Sequence, residues 1–576
     1  MINDPRDFVP YLPTLIPDLK AILLDPIPDV RSISAKAFGS LVRGLGEEAL
    51  PDLRPWMLER LRSEDVSSAE RSGAAQGLTE VLITQGSATV EGFMLDDLLP
   101  LKNHPSASTR EGVLWVLAFL PLALGQGFTP ILDECLPALI GGLSDENEQV
   151  REVGMRAGRV MIKSHGRVHF NKILPILQNG MGDTDHRIRL SSLMLLGDLL
   201  SMIGGTTVLR TDGTTQDDIR KAERAQAQLT LTLGMETRNF VFSAIYLARS
   251  DSASSVRHAA VQVWKTVVSI TARTLRQILP GLVARVVTDL ASGDAEKTDV
   301  AGRCLGDIVS KLGESVFPEI LPVLRKSLYD GDSFTRRGVC VGLTEVIGSS
   351  TKDQILKHLE TIVKVVQDAL CDDDESVRKM AASSFQNLYG LVGSVAMDEV
   401  VPALMVSLES SDSDEVRRSR ALNGLTGILS IRSKELLPYI LPRLIDSPIT
   451  TNHAKALSGI AAVTGDTIYF HFKTIIPSLM KDLSDQSNDD KERETEIREC
   501  VHSLFANSDE AGVNWLVSEI ASKCSSDKPE MRRECCWMFE TMITESELIL
   551  KLISCTLKHV WMMKKKHKLY WLRHTT

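Results

Sequence analysis

The chain has 576 residues, which is too long for one hydrophobic core, since single cores stop growing at roughly 250–300 residues; it is therefore several domains or a repeat array. Hydrophobic residues make up 43% and aromatic residues 5%, with Leu, Ala, Val and Ile dominating, a composition of packed helices rather than of sheet or disorder. A formal charge of −10 excludes a protein that coats nucleic acid by bulk electrostatics and leaves room only for local basic patches.

The N-terminal run Met1-Ile-Asn-Asp-Pro-Arg has no signal-peptide character. From there the chain returns repeatedly to one phrase: an apolar helix with Leu-Pro near its start, an acidic turn, then a second helix opening with Val-Arg and small residues. LKAILLDPIPDVRSISAKAFGSL from Leu19 and LPALIGGLSDENEQVREVGMRAG from Leu136 are two instances. The opening arginine recurs at Arg31, Arg71, Arg110, Arg151 and Arg189, at intervals of 38 to 41. That period matches a two-helix HEAT unit, against 34 for tetratricopeptide and 33 for ankyrin repeats. About five repeats fill 1–203. Within them His165 and His169 sit four apart with no third ligand nearby, so a solvated turn is expected there rather than zinc.

The next interval, Arg189 to Arg257, is 68. GGTTVLRTDGTTQDDIRKAERAQ, from Gly204, is Gly/Thr/Asp-rich and breaks the apolar periodicity. The segment 204–233 is predicted to be an insertion loop with a short helical stretch carrying Arg220, Lys221 and Arg224.

The phrase resumes over 234–510, for about seven repeats, with arginines at Arg257, Arg303, Arg337, Arg378 and Arg417 and degenerate units around Leu437-Pro438 and Ile476-Pro477. Here TARTLRQILP places Arg273 and Arg276 at a helix start, with Arg285 further along. A helix start already repels cations, so these three form the candidate contact for an anionic partner. CDDDE at Cys371 is expected to be a solvated helix cap. The turn at Asp485, Ser487, Asp489 and Glu496 matches four calcium-loop positions, but Asp490 stands where that loop needs Gly.

A degenerate helical pair is expected over 511–545. The tail, 546–576, abandons the phrase and combines Lys564, Lys565, Lys566 and Lys568 with Trp561, Tyr570 and Trp571. It reads either as a membrane- or RNA-binding tail or as a gene-model artefact, and the broken pattern favours the second.

In phase with the period, an Asp sits six residues before an Arg at Asp25/Arg31, Asp65/Arg71, Asp145/Arg151, Asp183/Arg189, Asp251/Arg257, Asp330/Arg336, Asp372/Arg378 and Asp412/Arg418. Each Asp is expected to cap the second helix from the turn, and each Arg to reach the Asp of a neighbouring repeat, giving a structural polar ladder beside the apolar core. The fold class read from these features is an all-α HEAT-repeat α-solenoid, an armadillo-like superhelix of about 12 helix pairs.

Nine cysteines are scattered without a C-x-x-C, as free thiols of a reducing compartment would be. No phosphate loop, Rossmann glycine pattern, nucleophile elbow or H-E-x-x-H occurs, and no run of about 18 apolar residues stands out. Catalysis, cofactors, bound metals, small-molecule substrates and membrane partners are not expected.

Beyond periodicity, DVRSISAKAFGSLVRGLGEE (Asp29 to Glu48), ERSGAAQGLTEVL, GFTPILDECLPALIGGLSDENEQVRE, RIRLSSLMLLGDLL, RSDSASSVRHAAVQVWKTVV, TARTLRQILP and RRGVCVGLTEVI (Arg336 to Ile347) together resemble the Gcn-one family. The resemblance runs from about Asp18 to about Glu545. It implies a cytoplasmic, ribosome- or polysome-associated scaffold that binds stalled ribosomes and partners an ABC-type ATPase. Through the RWD domain of the Gcn-two kinase it would help activate phosphorylation of initiation factor two alpha in amino-acid starvation. On that reading Arg273, Arg276 and Arg285 are ribosome contacts; the kinase-binding segment is expected to be only partly present, and no kinase-binding residue is carried over. HEAT scaffolds of other classes, namely nuclear transport receptors, phosphatase scaffolds and TOG-type microtubule binders, are the alternatives.

Overall fold

The computed structural model describes residues 5–205, 216–268, 270–409, 415–485, 491–508, 510–524 and 526–545. The tail after 545, Asp412 and the turn at 486–490 lie outside the described residues. Every regular element among the described residues is helical, and the chain falls into two compact units, Met1–Arg285 and Val286–Thr576.

In the first unit, short acidic turns fold the chain into antiparallel pairs. These are α1 (Leu12–Leu23) with α2 (Pro28–Leu45), and α3 (Leu53–Arg62) with α4 (Ser68–Leu82). Next come α5 (Ser87–Phe93) with α6 (Ala107–Leu124), and α7 (Leu132–Leu143) with α8 (Glu148–His165). Then α9 (Phe170–Gly180) pairs with α10 (His186–Gly204). After α11 (Gln216–Leu233) come α12 (Met235–Ala248) with α13 (Ser254–Val267), and then α14 (Thr271–Leu290), whose residues through Arg285 belong to this unit. Second helices stack on one another in the order α2, α4, α6, α8, α10, α13. Each therefore buries its apolar stripe only against its neighbours, as with Phe38, Ala74, Leu117, Ala157, Leu196 and Trp264.

Small residues just after the ladder arginine set how closely these helices approach. A Cβ on Gly73 would lie 1.9 Å from the carbonyl oxygen of Leu23, and one on Gly112 would lie 2.6 Å from that of Leu61. The second helix of a pair thus starts against the end of the first helix of the pair before it, a junction that admits hydrogen but no methyl.

One stretch, Ala107–Leu143, holds a window of mean hydropathy 1.6, long and apolar enough to cross a membrane, which corrects the sequence reading. The stretch is the separate helices α6 and α7 joined at Gly125–Ile131, and Val113, Leu114, Val116, Leu117 and Leu120 of α6 are buried against α4 and α8. Its hydrophobicity serves the protein core.

The second unit continues the arrangement. After α15 (Ala295–Leu312) come α16 (Phe317–Asp330) with α17 (Ser333–Gly348), the short α18 (Lys352–Lys357), and α19 (Leu359–Leu370) with α20 (Glu375–Val392). Helix α21 (Ser394–Glu409) pairs with the first half of α22 (Glu415–Leu444), which breaks at Arg432 (φ −136°, ψ 47°). The remainder of α22 opens the next pair with α23 (Thr451–Thr464). Helices α24 (Phe472–Ser484) and α25 (Lys491–Ala506), then α26 (Glu510–Lys523) and α27 (Pro529–Glu545), complete the unit. A Cβ on Gly338 would stand 2.0 Å from the Leu290 carbonyl oxygen, so the same junction recurs here.

The insertion differs from the sequence expectation. Where a loop with a short helical stretch was predicted over 204–233, α11 runs for 18 residues. Ala225, Leu229 and Leu233, four apart on one face, are buried, and α11 packs on α10 and α12. A run of Gly, Thr and Asp ahead of the helix disguises an amphipathic element.

Candidate functional site

The ladder arginines share one local geometry. Arg31 donates through Nη1 to the carbonyls of Asp25 and Pro26, both at 2.8 Å. Arg110, Arg151, Arg189, Arg257 and Arg378 do the same to the carbonyls six and five residues back. In five of the eight Asp/Arg spacings the pairing is thus from guanidinium to the backbone carbonyl of the Asp, which leaves the other edge of the guanidinium for the next repeat. Arg110 forks onto Asp145 at 2.6 and 2.8 Å, Arg189 onto Asp251 at 2.9 and 2.9 Å, and Arg336 onto Asp372 at 2.7 and 3.0 Å. Arg71 uses Glu111 of α6 instead, at 2.6 Å, and Asp65 and Asp330 are exposed.

The last of the eight spacings is only half described. That spacing names Arg418 as the ladder arginine of α22, and Arg418 is half-buried in the first turn of the helix, but its Asp412 lies outside the described residues. Two residues on, Arg420 reaches back one repeat, its Nε and Nη2 on Asp373 of the turn before α20 at 2.7 and 2.6 Å. Asp372 of that turn is already taken by Arg336, which leaves its neighbour Asp373 for α22. Two residues on a helix are about 200° of rotation, so Arg418 and Arg420 point to opposite sides and cannot exchange roles. The Arg420–Asp373 side chains are 44% and 67% exposed, so this pair is surface-bound where the Arg189–Asp251 pair is buried.

The ladder Asp does not cap the helix, contrary to the sequence expectation. Asp25, Asp145, Asp183, Asp251 and Asp372 accept from the backbone N–H two residues on, closing the turn itself. The caps come two residues later, at Asn147, Asp185 and Asp374, or at Ser67 in a capping box with Glu70. Burial pushes the Asp145 carboxyl up, but hydrogen bonds from Arg110 and the Asn147 N–H together outweigh it and hold it below the ordinary carboxylate value. The hydrogen bond to Asp145 in turn raises Arg110, and that to Asp372 raises Arg336. This network holds repeats in register and leaves no group poised for chemistry. Both ring nitrogens of buried His165 are occupied, Nε2 by the Gly125 carbonyl and Nδ1 by Ser164 Oγ, each at 2.8 Å. The thiols of Cys135, Cys340 and Cys500 are pushed up to about 12 by burial.

The surface candidate is more informative. Arg273 and Arg276 are exposed at the start of α14, and Arg273 lies 3.8 Å from Glu223 of the insertion helix. Beside it, Gln226 of α11 donates to Thr274 Oγ1 at 3.3 Å, so the insertion and the arginine-bearing helix start meet in one corner of the first unit. Arg285 is set apart from them. It follows Arg276 by nine residues, is half-buried, and stacks its guanidinium 5.3 Å from the Phe240 ring of α12. The structure thus joins two of the three arginines and places the third over an aromatic ring.

A fourth arginine, missed in the sequence, completes the corner. Arg238, in the first turns of α12, is only 3% exposed, lies over the Phe242 ring at 4.9 Å, and donates to Gln277 of α14 at 3.3 Å. With Arg224 on α11, the described residues of α11, α12 and the start of α14 carry five arginines, of which Arg224, Arg273 and Arg276 are exposed, in a chain of net charge −10. Leu231, Met235, Phe240 and Ile270 of the same stretch are exposed as well. Clustered guanidinium groups interleaved with an exposed aromatic ring suit a phosphate-bearing, base-bearing polymer.

A family model described as stalled ribosome sensor GCN1-like, HEAT repeats, matches residues 256–427 and 436–558. The second match continues past Glu545 into the segment read as an atypical tail. The eIF-2-alpha kinase activator GCN1 of Dictyostelium discoideum is 38% identical over 96% of this chain and 21% of its own length. The stalled ribosome sensor GCN1 of Homo sapiens is 38% identical over 92% of the chain and 20% of its length. Protein ILITYHIA of Arabidopsis thaliana is 40% identical over 96% and 20%. The chain therefore spans about a fifth of the length of these curated relatives. Among solved structures, the karyopherin Kap121p bound to Nup53p aligns over 93% of the chain and 54% of its own, at 16% identity and a TM-score of 0.32.

Proposed function

Because the chain belongs to the GCN1-like family of HEAT-repeat proteins, we propose that it is part of a non-enzymatic translation-stress scaffold that engages stalled ribosomes in the cytoplasm. Through them it supports activation of the kinase that acts on eIF-2-alpha. The observation that carries this reading is the family match over 256–427 and 436–558. The ribosome contact is assigned to the corner of α11, α12 and α14, where Arg273 and Arg276 are exposed on a chain otherwise too acidic to approach ribosomal RNA. Binding to the RWD domain of a Gcn-two-type kinase, and to an ABC-type ATPase, is proposed for the longer protein of which this is a portion. Arg285 contributes by holding Phe240 at the edge of the corner. The Asp/Arg ladder fixes the corner's register without touching the partner.

The test is co-sedimentation of the chain with purified ribosomes through a sucrose cushion. Binding that weakens steeply as salt rises is expected. No co-sedimentation at low salt would overturn the assignment of ribosome contact to this portion.

A further inference from the structure

Arg238 raises a question that the ladder does not answer. It is buried to 3% exposure, yet no carboxylate pairs with it among the described residues. Its polar contacts are Met235 Sδ at 3.7 Å, Asn239 Oδ1 at 3.2 Å and Gln277 Oε1 at 3.3 Å, and its Nε has no partner. A guanidinium taken out of water without an anion is costly, and burial accordingly lowers its pKa from the usual value. Ladder arginines of similar burial, such as Arg71 and Arg189, have a carboxylate within 3 Å.

Two of the Arg238 contacts, Met235 and Asn239, lie on the first turns of α12, and that helix start has no side-chain cap. Its N-cap is Gly234, at φ 77°, which has no side chain to accept from the free N–H groups. An uncapped helix start with a buried, anion-less arginine behind it brings together two sources of positive potential, against the single first-turn carboxylate of Glu236. Access is governed by Met235, the first residue of the helix, which is 55% exposed and whose thioether lies against Nη1. An unbranched Met side chain swings aside at little cost.

We propose that the start of α12 is a phosphate-binding site in which Arg238, uncovered when Met235 swings out, receives one backbone phosphate of an RNA strand. Arg273 and Arg276 hold flanking phosphates, and Phe240 offers its face to a base. The inference rests on the ribosome reading above for the identity of the RNA. A fork of two N–H donors suits a phosphate oxygen pair better than an ammonium does.

The test uses the full chain and a fluorescein-labelled 12-nucleotide uridine RNA, read by anisotropy across salt concentrations. Arg238→Met removes the charge and keeps the stem. Circular dichroism and Tm should show it folded, with affinity at least 10-fold weaker and a log-affinity against log-salt slope shallower by about 0.7. Inorganic phosphate should raise the Tm of the wild-type chain above a chloride control of equal ionic strength, and should not raise that of the variant. A folded Arg238→Met with wild-type affinity and slope would overturn the site. Should that variant fail to fold, the wild-type measurement decides: no Tm increase with phosphate or RNA would also overturn it. A phosphoserine peptide that binds where the RNA does not would overturn the assignment to RNA. Wild-type co-sedimentation reports on the ribosome reading and the Arg238 comparison on this site, so either can fail alone.

Discussion

Replacing Asp145 by Ala tests how the repeats are locked together. The carboxylate is 8% exposed, and it takes Arg110 Nε at 2.6 Å, Arg110 Nη2 at 2.8 Å and the Asn147 N–H at 2.9 Å. Arg151, its partner by sequence spacing, bonds the backbone carbonyls of Asp145 and Glu146, which Ala retains. The damage therefore falls on Arg110, in the preceding repeat. Removing one partner of a fully buried pair costs about 3–5 kcal/mol. Arg110 is 19% exposed and keeps the carbonyls of His104 and Pro105, so about 2–3 kcal/mol is expected here. Arg159–Asp198 is the control: its side chains are 53% and 46% exposed, and Asp198→Ala should cost less than about 0.5 kcal/mol. A repeat array does not unfold in one step, so the measurement is native-state hydrogen exchange of the α6 and α8 amides. In an Arg110→Met background the same replacement should cost at least about 1 kcal/mol less, because no buried charge is stranded. An Asp145→Ala chain within about 0.5 kcal/mol of wild type, or a loss indifferent to Arg110, would refute the argument.

Acid provides a further check. A carboxyl held below its ordinary value contributes stability above the unfolded pKa, near about 3.9, and loses it as pH falls through the lower folded value. The cost of Asp145→Ala, read by the same native-state exchange, should thus stay constant between about pH 5 and 8 and shrink below about pH 4. Leu229→Ala should cost about 2–4 kcal/mol in exchange protection of α10 and α11, whereas a solvated insertion loop would lose almost nothing. Gly338→Ala, with its Cβ 2.0 Å from a backbone oxygen, should cost about 1–3 kcal/mol or more. By contrast Gly427→Ala, within α22 and with nothing inside 4 Å, should stabilise by about 0.5–1 kcal/mol, read as a rise in Tm.

The period is most legible where the ladder arginine is held on both edges, as at Arg110 and Arg189. Nη1 binds carbonyls five and six residues back, which sets its distance from its own turn, and the fork binds the next turn, which sets the distance between turns. A residue anchored twice cannot slip, so the spacing persists while the helix faces vary. Where several arginines crowd one helix start, as at Arg417, Arg418 and Arg420, spacing marks Arg418 for its own turn, and only the stacking shows that Arg420 reaches back to Asp373. The cap was misplaced by two residues because Asp and Asn suit both jobs: in the turn Asp145-Glu146-Asn147 only geometry tells which of them closes the turn and which caps the helix. The helix in the insertion was signalled, since Ala225, Leu229 and Leu233 recur every fourth residue. A search for the HEAT phrase passes over it because it carries neither Leu-Pro nor Val-Arg.

The candidate site was half legible for a related reason. Arg273, Arg276 and Arg285 look like a cluster along the chain, but on a helix nine residues are about two and a half turns, which carries Arg285 to a different face from Arg276. What stands beside Arg276 and Gln277 is set by the stacking of repeats. Tyr329 meets Asp368, Lys172 meets Asp133, and Arg159 meets Asp198, each across 39 residues, so a first- or second-helix residue faces its counterpart one period away. One period before Gln277 is Arg238, and the two are hydrogen-bonded. A surface in a stacked array is therefore written at two rhythms, the helical turn along each element and the repeat length across elements. Reading only the first finds the exposed arginines at the rim. Adding the second finds the buried one behind them, Arg238, with no carboxylate partner among the described residues.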